Sequence, residues 1–195
     1  MGVAMVRQIR WRALLAVTSC LAVSGCRTAG QRYQDRDMDF GSIKTIAVLP
    51  FQNLSRDNLA ADRVRDVFSS MLLATNAVYV VPSGEVVRGI GKVGVAAPMT
   101  PSVEDAQKLG TALKAEALIT GVVKEYGEIR SGTASSNVIS VSVQLIETAT
   151  GKVVWAGATT KGGIRMTDRL FGGGGSPLND VTEAAVDDLL AKMLK

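Results

Sequence analysis

Few side chains in this 195-residue sequence could do covalent or metal chemistry. It has no histidine and two cysteines, Cys20 and Cys26. A serine or cysteine nucleophile therefore has no imidazole to take its proton, and zinc sites built from histidine and cysteine are excluded. The 18 Asp and Glu residues could still pair as general acid and base or hold Mg or Ca. No run of the Asp-x-Asp-x-Asp-Gly type supports a cation loop. No metal, no cofactor and no catalytic residue is expected. Gly89-Ile90-Gly91-Lys92-Val93-Gly94 satisfies G-x-G-x-x-G literally. A dinucleotide loop follows a strand and opens a helix, whereas this stretch follows a short helix and runs into Ala97-Pro98-Met99-Thr100-Pro101. It is expected to be a flexible loop.

What chemistry remains lies at the cysteines. Arg7, Arg10 and Arg12 precede an apolar run from Ala13 to Val23. These are the n-region and h-region of a secretory signal, too short to span a bilayer stably. The tetrad Val23-Ser24-Gly25-Cys26 resembles the lipobox of bacterial lipoproteins: an aliphatic residue, two small residues, then cysteine. The resemblance implies cleavage before Cys26, a diacylglyceryl group on its thiol and an acyl chain on its amine. Val17-Thr18-Ser19-Cys20 fits the pattern loosely, but it leaves only Ala13 to Val17 as an h-region. Removing residues 1–25 takes away Cys20 and three arginines, so the formal net charge falls from +4 to +1. With Cys26 acylated, no free thiol and no disulfide remain. A net charge that small argues against nucleic acid as a partner. One acyl chain binds membranes at about 10⁴ M⁻¹ and each further buried CH₂ adds about 0.8 kcal/mol, so two or three chains hold permanently. Arg27 follows the cysteine. An aspartate there resembles the inner-membrane retention signal, so arginine points to the outer membrane, facing the periplasm.

The elements must then follow a tether. Residues 26–42 are polar and charged, with Gln31, Arg32, Gln34, Asp35, Arg36, Asp37 and Asp39, and they read as a solvated tether. Residues 27–42 reach about 53–58 Å fully extended and about 20–24 Å as a coil. The folded domain is expected over 43–195. Ile43 to Phe51 reads as a strand buried on both faces, ended by Pro50. Ala60, Val64, Val67, Phe68, Met71 and Leu72 give helical spacing over Leu59–Ala74, with Asp57 as N-cap. Val78–Pro82 is a second strand, in a parallel crossover from the first. Ser83–Arg88 is a short helix. Ser102 with Asp105 caps a helix running to Lys114.

Ala117–Val123 is a third strand, continuing past Tyr126, and 131–136 is a Gly/Ser/Thr turn region. Ile139, Val141, Val143 and Leu145 alternate with polar residues as in an antiparallel strand with one wetter face. Ala149–Lys152 turns the chain into Val153–Ala156. Leu178 onward is an amphipathic helix, capped by Asn179 or Asp180 with Glu183. The reading is one α/β domain with a mixed sheet of about five strands, packed helices and an antiparallel meander at one side.

Three segments carry a family resemblance: Ile46-Ala47-Val48-Leu49-Pro50-Phe51 with Asn53, Ala117-Leu118-Ile119-Thr120-Gly121-Val122-Val123, and Glu147-Thr148-Ala149-Thr150-Gly151-Lys152-Val153-Val154-Trp155. In order and spacing they resemble a group of bacterial envelope lipoproteins that includes CsgG, LpoB and the neisserial lipoproteins, with the fold of the TolB N-terminal domain. The resemblance spans roughly 43–160. It implies a non-enzymatic periplasmic domain that acts by binding envelope proteins in interaction or assembly, as regulator or accessory of a cell-wall or secretion complex. It leaves a homo-oligomer open. The alternative is a subunit of an oligomeric CsgG-like outer-membrane secretion channel, which requires membrane hairpins. The candidate insertions, 127–137 and 161–176, are Gly/Ser-rich and are not expected to supply paired strands of about 9–11 residues. The segment 161–176 is too long for an ordinary connection, so it is either functional or disordered. Beside four glycines it carries Arg165, Arg169 and Phe171, residue types enriched at binding hot spots. These three are the candidate partner contact, against the alternative of a solvated loop with incidental charges.

Overall fold

The computed structural model describes residues 32–132, 134–163 and 175–194. Its elements are β1 (Arg32–Gln34), β2 (Thr45–Val48), β3 (Gln52–Asn53), α1 (Ala60–Ala74), β4 (Tyr79–Val80), α2 (Ser83–Val93), α3 (Val103–Leu113), β5 (Ala117–Ser131), β6 (Ala134–Glu147), β7 (Val153–Gly162) and α4 (Leu178–Met193), with a 3₁₀ turn at Phe40–Ser42. The strands form one mixed sheet in the order β1-β7-β6-β5-β2-β4, and β3 pairs with β5. β2 runs parallel to β4 and β5, while β5, β6, β7 and β1 form an antiparallel series.

The uninterrupted apolar run of β2 follows from this position. Ile46 and Val48 enter the core shared with α1 and α4, and Ala47 and Leu49 enter the opposite core shared with α2 and α3. On β6, Ile139, Val141, Val143 and Leu145 all enter the first core, which is why that strand alternates. Each fully buried Leu, Val or Phe is worth about 1.5–3 kcal/mol over leaving it exposed.

The α/β class, the single domain and the meander are as the sequence indicates, with seven strands. The two beyond the expected five are short: β3 extends the line of β2, and β1 lies in the stretch read as tether. Residues 32–42 are not a solvated chain. Arg32, Tyr33 and Gln34 pair with Gly157, Ala156 and Trp155, the Asp35 N–H donates to Val154 O at 2.8 Å, and Met38 and Phe40 pack on the first core. Polar side chains do not forbid an edge strand, whose backbone supplies the pairing.

The Gly89–Gly94 stretch is also not a loop. α2 continues through it, and Gly94 at φ +73° ends the helix with its N–H on Ile90 O. Gly89 is buried at the contact with α3, where a Cβ would meet Leu113 Cδ2 at 2.5 Å. Cap positions shift as well. Asp57 stands ahead of α1, accepting from the Leu59 N–H at 2.8 Å and pairing with Arg63. Asn179 lies inside the first turn of α4 and donates to Glu183, with Pro177 at the cap. Ser102 caps α3 as expected, accepting from the Asp105 N–H at 3.1 Å.

Candidate functional site

Two clusters of charge bind parts of the fold to each other. On α4, Asp188 accepts from Lys192 Nζ at 2.6 Å and lies 3.3 Å from Lys161 Nζ on β7. Burial opposes its ionisation, but hydrogen bonds from Lys192, Thr159 and Lys161 outweigh that and hold its carboxyl down from 3.8 to about 2. On α1, Arg65 donates through Nε and Nη2 to Val48 O, at 3.2 and 2.9 Å. That carbonyl lies where the β2–β4 ladder stops, because the Val81 N–H reaches Ile46 O and Pro82 then turns into α2. Desolvation by partial burial draws the Arg65 pKa down against the nearby Asp66 and Asp62. Both clusters are internal fasteners. Among the described residues no three His, Cys, Asp or Glu side chains are grouped to hold a metal ion.

The feature that leaves the sheet is the hairpin of β5 and β6. The two strands stay paired from Ala117↔Glu147 to Ser131↔Ala134, with a register shift between Val123 and Glu125. Of residues 127–137, expected to lack paired strands, 127–132 and 134–137 form the outer half of this hairpin. Its composition hid it: Glu128, Arg130, Ser131, Ser135, Ser136 and Asn137 have no apolar alternation to read. The usable signal was Gly132, whose φ of +62° serves a tight turn. Neither face of the outer half carries a continuous apolar row, since Glu128 and Arg130 lie on one and Gly127, Ile129 and Ser131 on the other.

Beside this half runs a cavity of about 500 Å³, lined by residues 124–130, Val138 and the Leu54–Arg56 loop. Asn53 shapes that loop, accepting from the Ser55 N–H and donating to Asp57 O. Glu128 and Arg130 pair at 2.9 Å. Hydrogen bonds from Arg130 and Ser135 lower the Glu128 pKa, and the Glu128 contact raises that of Arg130.

The hairpin also anchors the long segment nominated by sequence. Lys161 and Gly162, expected to open that loop, are strand residues of β7. The Gly163 N–H donates to Asn137 O at 2.9 Å, and Asn137 Nδ2 donates to Ser176 O at 2.9 Å. One asparagine on β6 thus holds both flanks of the segment. Arg165, Arg169 and Phe171 lie outside the described residues, as do Val23, Ser24, Gly25 and Cys26.

Comparison with known proteins agrees with this architecture. A single-substitution variant of PelC from Paraburkholderia phytofirmans, a dodecamer, superposes with a TM-score of 0.57 at 18% identity, covering 84% of this chain and 97% of that one. A second crystal form of the PelC dodecamer gives 0.56 at 17% identity, with 84% and 94% covered. Lipoprotein GNA1162 from Neisseria meningitidis gives 0.53 at 18% identity, with 77% and 98% covered. At these identities the likeness is one of fold. No curated protein sequence matches the chain. The GNA1162-like family profile matches residues 38–191, most of the folded domain, and the chain belongs to the GNA1162-like lipoprotein family.

Proposed function

We propose that this protein is a non-enzymatic lipoprotein of the bacterial outer membrane, cut before Cys26, held by acyl chains on that residue and facing the periplasm. It works by binding other envelope proteins and copies of itself. The observation that carries the reading is the Val23–Cys26 tetrad behind its basic and apolar run, in a chain of a lipoprotein family. That PelC, of the same fold, is described as a dodecamer supports self-assembly. The channel alternative finds no support in the β5–β6 hairpin, whose outer half has charged residues on one face.

Cys26→Ala should abolish lipidation and release the protein from the outer membrane or leave its precursor in the inner membrane. A variant that still fractionates with the outer membrane would overturn the anchor. The contact surface is assigned to the segment held by Asn137. Changing Arg165, Arg169 and Phe171 together to alanine should cut in-cell crosslinks to envelope proteins several-fold while the domain stays folded. Crosslinks at full yield would make the segment a mere connection. Reproducible turnover or stoichiometric metal in the purified protein would sink the non-enzymatic assignment.

A further inference from the structure

The outer half of β5 has one edge paired with β6 and one edge that no other described strand pairs. The tight turn closes on Ser131 and Ala134, which face each other across the hairpin, so Glu125, Gly127, Ile129 and Ser131 direct their backbone groups to β6. Tyr126, Glu128 and Arg130 therefore turn their N–H and C=O groups outward. The opposite end of the ladder agrees. β3 finishes with the Leu54 N–H on Val123 O at 2.8 Å, the bulge follows, and beyond it no described strand pairs with β5 on that side. The cavity of about 500 Å³ lies beside this edge and the Leu54–Arg56 loop.

Proteins usually blunt such an edge with scattered charge. Here the charges are ordered so that they complement themselves. We infer that this edge pairs with the same edge of a second copy, antiparallel and centred on Ile129. In that register Glu128 lies opposite Arg130 of the partner subunit and Arg130 opposite Glu128 of the partner subunit, each an outward-facing, hydrogen-bonded pair. Ile129, which is 40% exposed, then meets Ile129 of the partner subunit in a non-hydrogen-bonded pair, where side chains come closest. Moving the centre to Glu128 or to Arg130 sets like charges directly opposite, which is unfavourable. The two-fold arrangement is isologous and closes on itself. The inference rests on the self-assembly part of the reading above and names the surface responsible.

The test is Ile129→Cys in the full-length lipoprotein, extracted in mild detergent and oxidised with copper–phenanthroline, with the unaltered protein as control for Cys26. Most of the variant should run as a disulfide-linked dimer. Adding Glu128→Arg or Arg130→Glu alone should lower the crosslinked fraction at least tenfold, and combining the two should restore it. A crosslinked fraction no greater than the control's, or one indifferent to the single charge reversals, overturns the pairing. Light scattering separates this failure from that of the broader reading. Oligomers that persist in the single-reversal variants place self-assembly on another surface, whereas a monomer at all concentrations removes self-assembly as well.

Discussion

Asp188 sits between two lysines from different elements, and its chemistry sets a pH dependence. Its folded pKa of about 2 lies below the ordinary 3.8, so ionisation stabilises the fold in full above about pH 4. That contribution is lost as pH falls from there through about 2. The group is partly solvated, with its side chain 27% exposed, so screening reduces the contribution to about 1 kcal/mol. Asp188→Asn should lower stability by about that amount at pH 7 and flatten the dependence of Tm on pH between about 4 and 2, as followed by circular dichroism. A variant whose melting curve keeps the full acid slope would show that other carboxylates carry it. The triad was not legible beforehand. Lys192 lies one helical turn from Asp188 and could be paired by spacing, but Lys161 fell in an expected loop. Nothing local says that β7 runs on to Gly162 beside α4. Arg65 was equally hidden, because its partner is a backbone carbonyl, Val48 O.

Elements with an apolar rhythm were readable, and those defined by backbone pairing were not. α1 and α4 declare themselves by helical spacing, α3 by its Ser102 cap with Asp105, and β2 by a run that both cores require. β1, β3 and the outer half of β5 bury little side-chain surface, and the outer half of β6 buries the small Ala134 and Ser136, so these residues carry no apolar period. The glycines of α2 misled for a different reason. Gly89 is there for close packing on Leu113, not for a turn, and only Gly94 has the left-handed backbone. Because 32–42 belong to the fold, a protein beginning at residue 43 should be less stable than one beginning at 32. It loses the β1–β7 pairing, the Arg32 hydrogen bond to Lys192 O and the packing of Met38 and Phe40. The apolar burial alone is worth about 2–3 kcal/mol. Urea unfolding of the two proteins measures the difference, and equal midpoints would show that β1 adds nothing.

At the scale of the whole molecule, a mixed sheet with packed helices and a meander at one side was inferred from the order of strands and helices, whereas its division into two cores was not. The parallel β2, β4 and β5 lie at one side and the antiparallel β5, β6, β7 and β1 at the other, with α1 and α4 behind one face and α2 and α3 behind the other. What no linear reading could supply was that the sheet's last strand comes from the start of the domain. β1 closes the β7 edge, so the chain ahead of Arg32 joins the fold at a fixed point. If Cys26 is acylated as proposed, only residues 27–31 separate the lipid from Arg32, and five residues span at most about 16–18 Å. The domain then rides at a set height above the bilayer with a preferred face down. The C-terminal end of α4, tied to Arg32 through Lys192, stays close to the headgroups.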